Sequence, residues 1–366
     1  MGAAAKDDIA IGLLGDVMLG RGVGSELKLT RQPKRLWAPE LRALAASLDL
    51  VICNLECAIS ERGTPTTLIS GKPFFFRGPP VAVGALQAIG VRAVTLANNH
   101  ALDYGPPALA DTVTTLADAG IQVAGAGRDR ETARRAAVIE VAGRRVAVVA
   151  ATDDPAEYAG KPSDWGVAYA VLRLGPPQWL LDEIAAARQH CDLVIALLHW
   201  GPNMAVRPRA WQERVAAALQ NAGVDLVAGH SAHLFHGIQW TSAGPILYDL
   251  GDGIDDYRVD PWLRNDLGIL AIWHPADGAI ELVGLHLDHA HTGLAQDADA
   301  DWIASRLKQA CRELGTAVTR IDEQRFRVEA GEDRDPRVVL PAPLPRRTPG
   351  SRRAARLPQR HAIGRT

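Results

Sequence analysis

Five times along this chain an apolar run ends in a knot of polar side chains, and that repeated ending limits the possible folds more than any other feature. The runs are Leu13-Leu14-Gly15-Asp16, Val51-Ile52-Cys53-Asn54-Leu55-Glu56, Leu96-Ala97-Asn98-Asn99-His100 with Asp103 just beyond, Ile195-Ala196-Leu197-Leu198-His199-Trp200-Gly201, and Val227-Ala228-Gly229-His230-Ser231-Ala232-His233. Short apolar runs bounded by turn residues read as strands. In open α/β sheets the C-terminal edge of the strands is where ligands bind. A chain that repeatedly delivers donors to that edge is building one site from many strands.

Between the runs lie stretches with apolar residues at three- and four-residue spacing, the alternation of a layered α/β fold. The pattern predicts strands over 9–14, 50–54, 92–97, 121–125, 137–141, 145–151, 192–198 and 224–228, then over 236–240, 245–249, 268–273 and 279–286. Val141-Ala142-Gly143-Arg144 and Ser242-Ala243-Gly244 read as turns between strands. The closely spaced later strands are expected to form a second, largely antiparallel sheet. Helices are predicted over 36–48, 81–89, 106–119, 177–190, 208–221 and 298–314; Pro106 and Pro107 suit a first helical turn and Gly120 a C-terminal stop. Residues 1–330 are expected to form a single catalytic domain, and 331–366, rich in Pro and Arg, a disordered tail.

The donors themselves favour a metal centre. The two-residue period of a strand puts Asn54 and Glu56 on one face and Cys53 and Leu55 on the other. His230 and His233 converge if the loop turns between them, while His236 falls on the following strand. Carboxylate, amide oxygen and imidazole together suit zinc, manganese, iron or cobalt, and the lack of sulfur argues against a structural zinc site. Asp16, Glu56, Asn99, His199, His230 and His233 supply enough ligands for two divalent ions sharing a carboxylate.

Bulk composition excludes other classes. With 366 residues, 47% of them hydrophobic, the chain can bury a large core, and a formal net charge of -2 offers no basic field for nucleic acid or an anionic membrane. No run approaches the roughly 18 apolar residues of a membrane span, and the N-terminus lacks a signal-peptide layout, so a cytoplasmic protein is expected. The four cysteines are too few for a disulfide scaffold and are expected to be reduced.

The order Gly-Asp, Asn-Leu-Glu, Asn-Asn-His, His-Trp-Gly and Gly-His-Ser-Ala-His, together with Gly15–Arg21, Asn98–Gly105 and Tyr248–Tyr257, resembles the CapA-type family, named for capsule poly-γ-glutamate synthesis, from about residue 9 to 290. That resemblance implies a calcineurin-like metallophosphoesterase β-sandwich flanked by helices. It implies that Asp16 and His233 hold a first metal, that Glu56 bridges, and that Asn99, His199 and His230 hold a second. His100 resembles the acid/base histidine of that fold. Phosphatases of the fold carry a metal-binding His two residues after the first Asp, where this chain has Met18. The first metal is therefore expected to lack a ligand, which a His at position 18 would restore.

Three activities are compatible with this reading. The family includes cytosolic epimerases of lasso-peptide precursors, which implies acid/base exchange at Cα with His100 on one face and His236 or Asp252 on the other. Hydrolysis of a phosphoester or a γ-glutamyl or peptide amide would use the same metals. A peptide-binding protein with structural metals is the third. In each peptide reading the partner is a peptide or precursor-peptide substrate.

Overall fold

Strands whose two faces are both apolar must be covered on both sides, and this requirement generates the layers of the molecule. The computed structural model describes residues 9–276 and 279–330. The first strands are β1 (Ile11–Val17), β2 (Leu50–Leu55), β3 (Val91–Thr95) and β4 (Gln122–Ala124), interleaved with α1 (Arg21–Thr30), α2 (Pro39–Ala46), α3 (Val83–Ala88) and α4 (Gly105–Asp118). Then come β5 (Ala137–Val141), β6 (Arg144–Thr152), β7 (Leu193–His199), β8 (Leu226–His230), β9 (Ile238–Thr241) and β10 (Gly244–Leu247), with α5 (Gln178–Arg188) and α6 (Ala210–Asn221) among them. The chain closes with β11 (Asp252–Ile254), β12 (Leu267–His274), β13 (Ala279–Asp288), β14 (His291–Leu294), α7 (Asp297–Glu313), β15 (Thr316–Arg320) and β16 (Arg325–Ala330).

Two sheets result. A ten-stranded sheet runs β15-β16-β13-β12-β1-β2-β3-β4, with β11 also beside β1 and β14 beside β13; a six-stranded sheet runs β9-β10-β8-β7-β6-β5. Period-two alternation divides each strand between two cores. Ile11, Leu13, Leu50 and Ile52 meet Val146, Val148, Ile195 and Leu226 in the layer between the sheets. Leu14, Val51, Cys53 and Leu55 face α1 to α4 on the outside of the larger sheet. The intervening residues Ala147, Val149, Val194 and Ala196 face α5 and α6 outside the smaller sheet. Helix α7 adds Ile303, Leu307 and Cys311 to the inter-sheet core. Each fully buried Leu or Ile there contributes about 1.5–3 kcal/mol. The fold is thus the expected β-sandwich flanked by helices.

The predicted turns form as hairpins: Val141 pairs with Arg144 and Thr241 with Gly244. The expected segregation of late strands into an antiparallel second sheet is corrected. β12 and β13 join the larger sheet, where β1 pairs in parallel with β2 and antiparallel with β12, while the smaller sheet is mixed, its β6-β7-β8-β10 run parallel. Hydrophobic spacing identifies a strand but not its neighbour, which the crossover helices decide. Helix α1 escaped prediction because Gly22 and Gly24 dilute its helical signal. The tail expected over 331–366 lies outside the described residues. All four cysteines are free.

Candidate metal centre

The parallel strands end side by side, and that brings the donors together. Asp16 is level with Asn54 on β2 and with Asp252 on β11, and His199 is level with His230 across β7 and β8. Gly15 makes the β11 contact possible: a Cβ there would lie 1.8 Å from the carbonyl oxygen of Gly251. Gly229 does the same before His230, where a Cβ would meet the Tyr248 carbonyl at 2.0 Å.

Asp16 sits at the centre, fully buried. Its Oδ1 accepts from Asn54 Nδ2 at 2.8 Å and its Oδ2 from the Ser231 backbone N–H at 3.3 Å. Asn98 in turn donates to Asn54 Oδ1 at 2.9 Å, so the amides form a chain behind the carboxylate. His230 Nδ1 lies 3.1 Å from Asp16 Oδ1, without the alignment of a hydrogen bond, and His233 Nδ1 lies 3.5 Å from Oδ2. Burial opposes ionisation of Asp16, but His230, His233 and His199 hold its carboxyl well below the usual range. Burial and Asp16 likewise oppose charging Glu56, and His233, His199 and His100 outweigh them.

Two sets of possible ligand atoms come within 4.8 Å of one another: Asp16, His233 and Asp252, and Asp16, Glu56 and His199. Asp16, not Glu56, is the member common to both. Asp252, expected as a second-face acid/base group, accepts from His233 Nδ1 at 2.8 Å and lies inside the first set. Met18 does not point there. It is buried in the outer core, and its sulfur accepts from the Gly20 N–H at 3.1 Å. Where the sequence leads one to expect a missing ligand at position 18, Asp252 of β11 stands beside Asp16 and His233.

Asn99 and His230 fall outside both sets, yet Asn99 Oδ1 and both ring nitrogens of His230 are buried with no hydrogen-bond partner, as are His199 Nδ1 and Asp252 Oδ2. Buried polar atoms are nearly always satisfied, and five orphans beside three buried carboxylates form an environment that divalent cations would neutralise. The residues fit metal ions. The loop carrying His230 and His233 is held in an uncommon backbone, with φ of 106° at Ser231 and 57° at His233. Asp249 pins it, accepting from the Ala232 N–H at 2.8 Å and the Gly251 N–H at 2.9 Å.

His100 stands beside the cluster in a different setting. Its Nδ1 donates to Asp103 Oδ2 at 2.6 Å and its ring stacks on Phe76 at 3.8 Å between centroids. Asp103 is fixed by the Phe76 N–H at 2.7 Å, the Tyr158 hydroxyl at 3.0 Å and Lys72 Nζ at 3.2 Å. Tyr257 stands next to Phe76, with 5.8 Å between ring centroids, donating to Glu56 Oε2 at 3.1 Å and meeting His233 edge-on at 5.1 Å. His236 is not brought into this group. Its Nε2 donates to the Ala205 carbonyl at 2.7 Å, and burial pushes its pKa down to about 4. Lys72, Phe76 and Tyr257 were missed by sequence reasoning, although Tyr257 closes the Tyr248–Tyr257 stretch singled out above.

No helix among the described residues is long and apolar enough to cross a membrane. The chain is 31% identical over 373 residues to a probable polyglutamine synthesis accessory protein of Mycobacterium tuberculosis, covering 87% of this chain and 96% of that protein. It is 27% identical over 274 residues to the PGA biosynthesis protein CapA of Bacillus subtilis, covering 74% of this chain and 68% of that one. Residues 10–257, which hold every donor of the cluster, match the model of the bacterial capsule synthesis protein family PGA_cap, and the chain belongs to that family.

Proposed function

We propose that this chain is a divalent-metal-dependent enzyme that hydrolyses an amide bond of a glutamyl peptide by acid/base chemistry. The observation that carries the reading is the His100–Asp103 dyad, built beside a buried cluster of orphaned ligand atoms. When bound, divalent ions supply Lewis acidity to the carbonyl and to water. Asp16, His233 and Asp252 would hold one ion, and Asp16, Glu56 and His199 another, with Asn99 and His230 offering further donors.

The protein's own groups do the rest. Asp103, held by three donors besides His100, keeps the proton on Nδ1 and leaves Nε2 to work. Stacking on Phe76 fixes the plane of the imidazole. Nε2 can then accept a proton from the attacking water and pass it to the departing amine, proton transfers that account for about two to four orders of magnitude in rate. A glutamyl substrate is suggested by the relatives, whose names tie them to polyglutamine and PGA synthesis.

Epimerisation would use the same cluster but needs a second acid/base group on the far face of Cα. The two nominated for it are otherwise engaged, His236 with the Ala205 carbonyl and Asp252 with His233. That favours hydrolysis. The full chain, loaded in turn with manganese, zinc, cobalt and ferrous iron, is incubated with γ-linked glutamate oligomers in heavy water. Metal-dependent release of free amine is expected. Deuterium at Cα without cleavage would replace hydrolysis by epimerisation, and unchanged but bound oligomer at saturating metal would leave a binding protein.

A further inference from the structure

We propose that Arg21 forms an anion subsite at the mouth of the metal centre, which binds a carboxylate of the substrate flanking the bond that reacts. The inference deepens the glutamyl-peptide reading and rests on it only for the identity of the peptide. Arg21 opens α1, four residues beyond the end of β1, and its side chain reaches back over the site.

The guanidinium carbon lies 5.3 Å from the centroid of Phe74, 5.7 Å from Phe76 and 5.9 Å from Tyr257. Two of those rings are the walls of the site, Phe76 against His100 and Tyr257 against Glu56 and His233. The third, Phe74, is 55% exposed, so the cation sits where the site wall meets solvent. One aromatic ring separates it from the acid/base histidine on one side and from the ligand cluster on the other.

Its setting leaves the fork free. Asp256 approaches Nε at 3.4 Å and anchors the start of the helix by accepting from the Gly22 N–H at 2.8 Å. The two terminal nitrogens have no partner among the described residues, and the side chain is 36% exposed. A guanidinium held by cation–π contacts and one ion pair is pre-organised, so less rotamer freedom is lost when it takes a ligand. Two parallel N–H donors match a carboxylate bidentately. Lys72, the other cation beside the dyad, is already taken up by Asp103 and the Asn99 carbonyl. In a γ-linked glutamyl chain each residue carries a free α-carboxylate beside the linking amide, which is the group this position would read.

The test measures binding, so that it stands apart from whether any bond is cleaved. Manganese-loaded full-length protein is titrated calorimetrically with tri-γ-glutamate and with the same peptide bearing amidated carboxyls. Free carboxyls should tighten binding to the natural protein. Arg21→Gln should weaken tri-γ-glutamate about 10- to 100-fold, the range of a charge-assisted contact, and leave the amidated peptide unchanged. Arg21→Lys should recover part of the loss, as a charge without the fork. Equal losses for both peptides, or none for either, would overturn the proposal, and so would indifference of the natural protein to amidation if the variant does not fold. Inorganic phosphate serves as the second probe: tight binding that Arg21→Gln abolishes, with tri-γ-glutamate unaffected, would assign the subsite to phosphoryl groups and reject the carboxylate. Carboxylate-dependent binding without amine release would retain the subsite and reject the hydrolase.

Discussion

His100 and Met18 differ in their surroundings, one hydrogen-bonded to Asp103 beside the ligand cluster and the other packed in the outer core. Replacing His100 by Ala removes the nitrogen that Asp103 orients but no member of either ligand set. We expect His100→Ala to keep its metal content while kcat falls by about two to four orders of magnitude. Loss of metal in that variant, measured by elemental analysis, would make the histidine a ligand. Met18 is fully buried among the residues under α1. Met18→His therefore puts an imidazole into an apolar core and should cost about 1–3 kcal/mol, read from urea unfolding, without tightening metal binding. Tighter metal binding would show that position 18 reaches the cluster and would remove the need for Asp252.

At the scale of elements, the contact between β1 and β11 decides whether the first ligand set exists. The Asp16 N–H donates to the Gly251 carbonyl at 3.0 Å, and the missing Cβ of Gly15 leaves room for it. Gly15→Ala would force the strands apart and separate Asp16 from Asp252. A loss of about 3 kcal/mol in stability, together with weaker metal binding, is expected. Wild-type metal affinity in a folded Gly15→Ala protein would mean that Asp252 is dispensable. This pairing also explains what sequence could and could not reveal. Asp16, Glu56, His199, His230 and His233 were legible because each ends an apolar run, a signal carried by neighbouring residues. The place of Asp252 beside Asp16 was not, because it depends on a parallel bridge to a strand far away in sequence. The same is true of Lys72 and Tyr257, whose partners Asp103 and Glu56 lie 31 and 201 positions away by sequence, the latter separation fixed only once the second sheet has been built. Helix α7 was visible from its period, but not that it would seal the space between the sheets.

Across the whole molecule the donors come from both sheets: Asp16 and Glu56 from the larger, His199 and His230 from the smaller. Ions bound between them would favour the folded state, by about 2.7 kcal/mol for each site at a hundredfold excess over its Kd. Chelation should therefore lower the urea midpoint reversibly, with recovery when manganese is restored. An unchanged midpoint after verified removal of metal would show that the ions do not couple the sheets.

The return of the chain to β1 also sets the order in which the protein can be completed. Asp16 emerges from the ribosome early and Asp252 late, after every strand of the smaller sheet has been made. No fragment ending before residue 252 can offer the first ligand set, and none ending before residue 199 can offer either. The two sets would thus become available in sequence, the second from residue 199 and the first from residue 252, so a chain truncated between those points offers one set without the other.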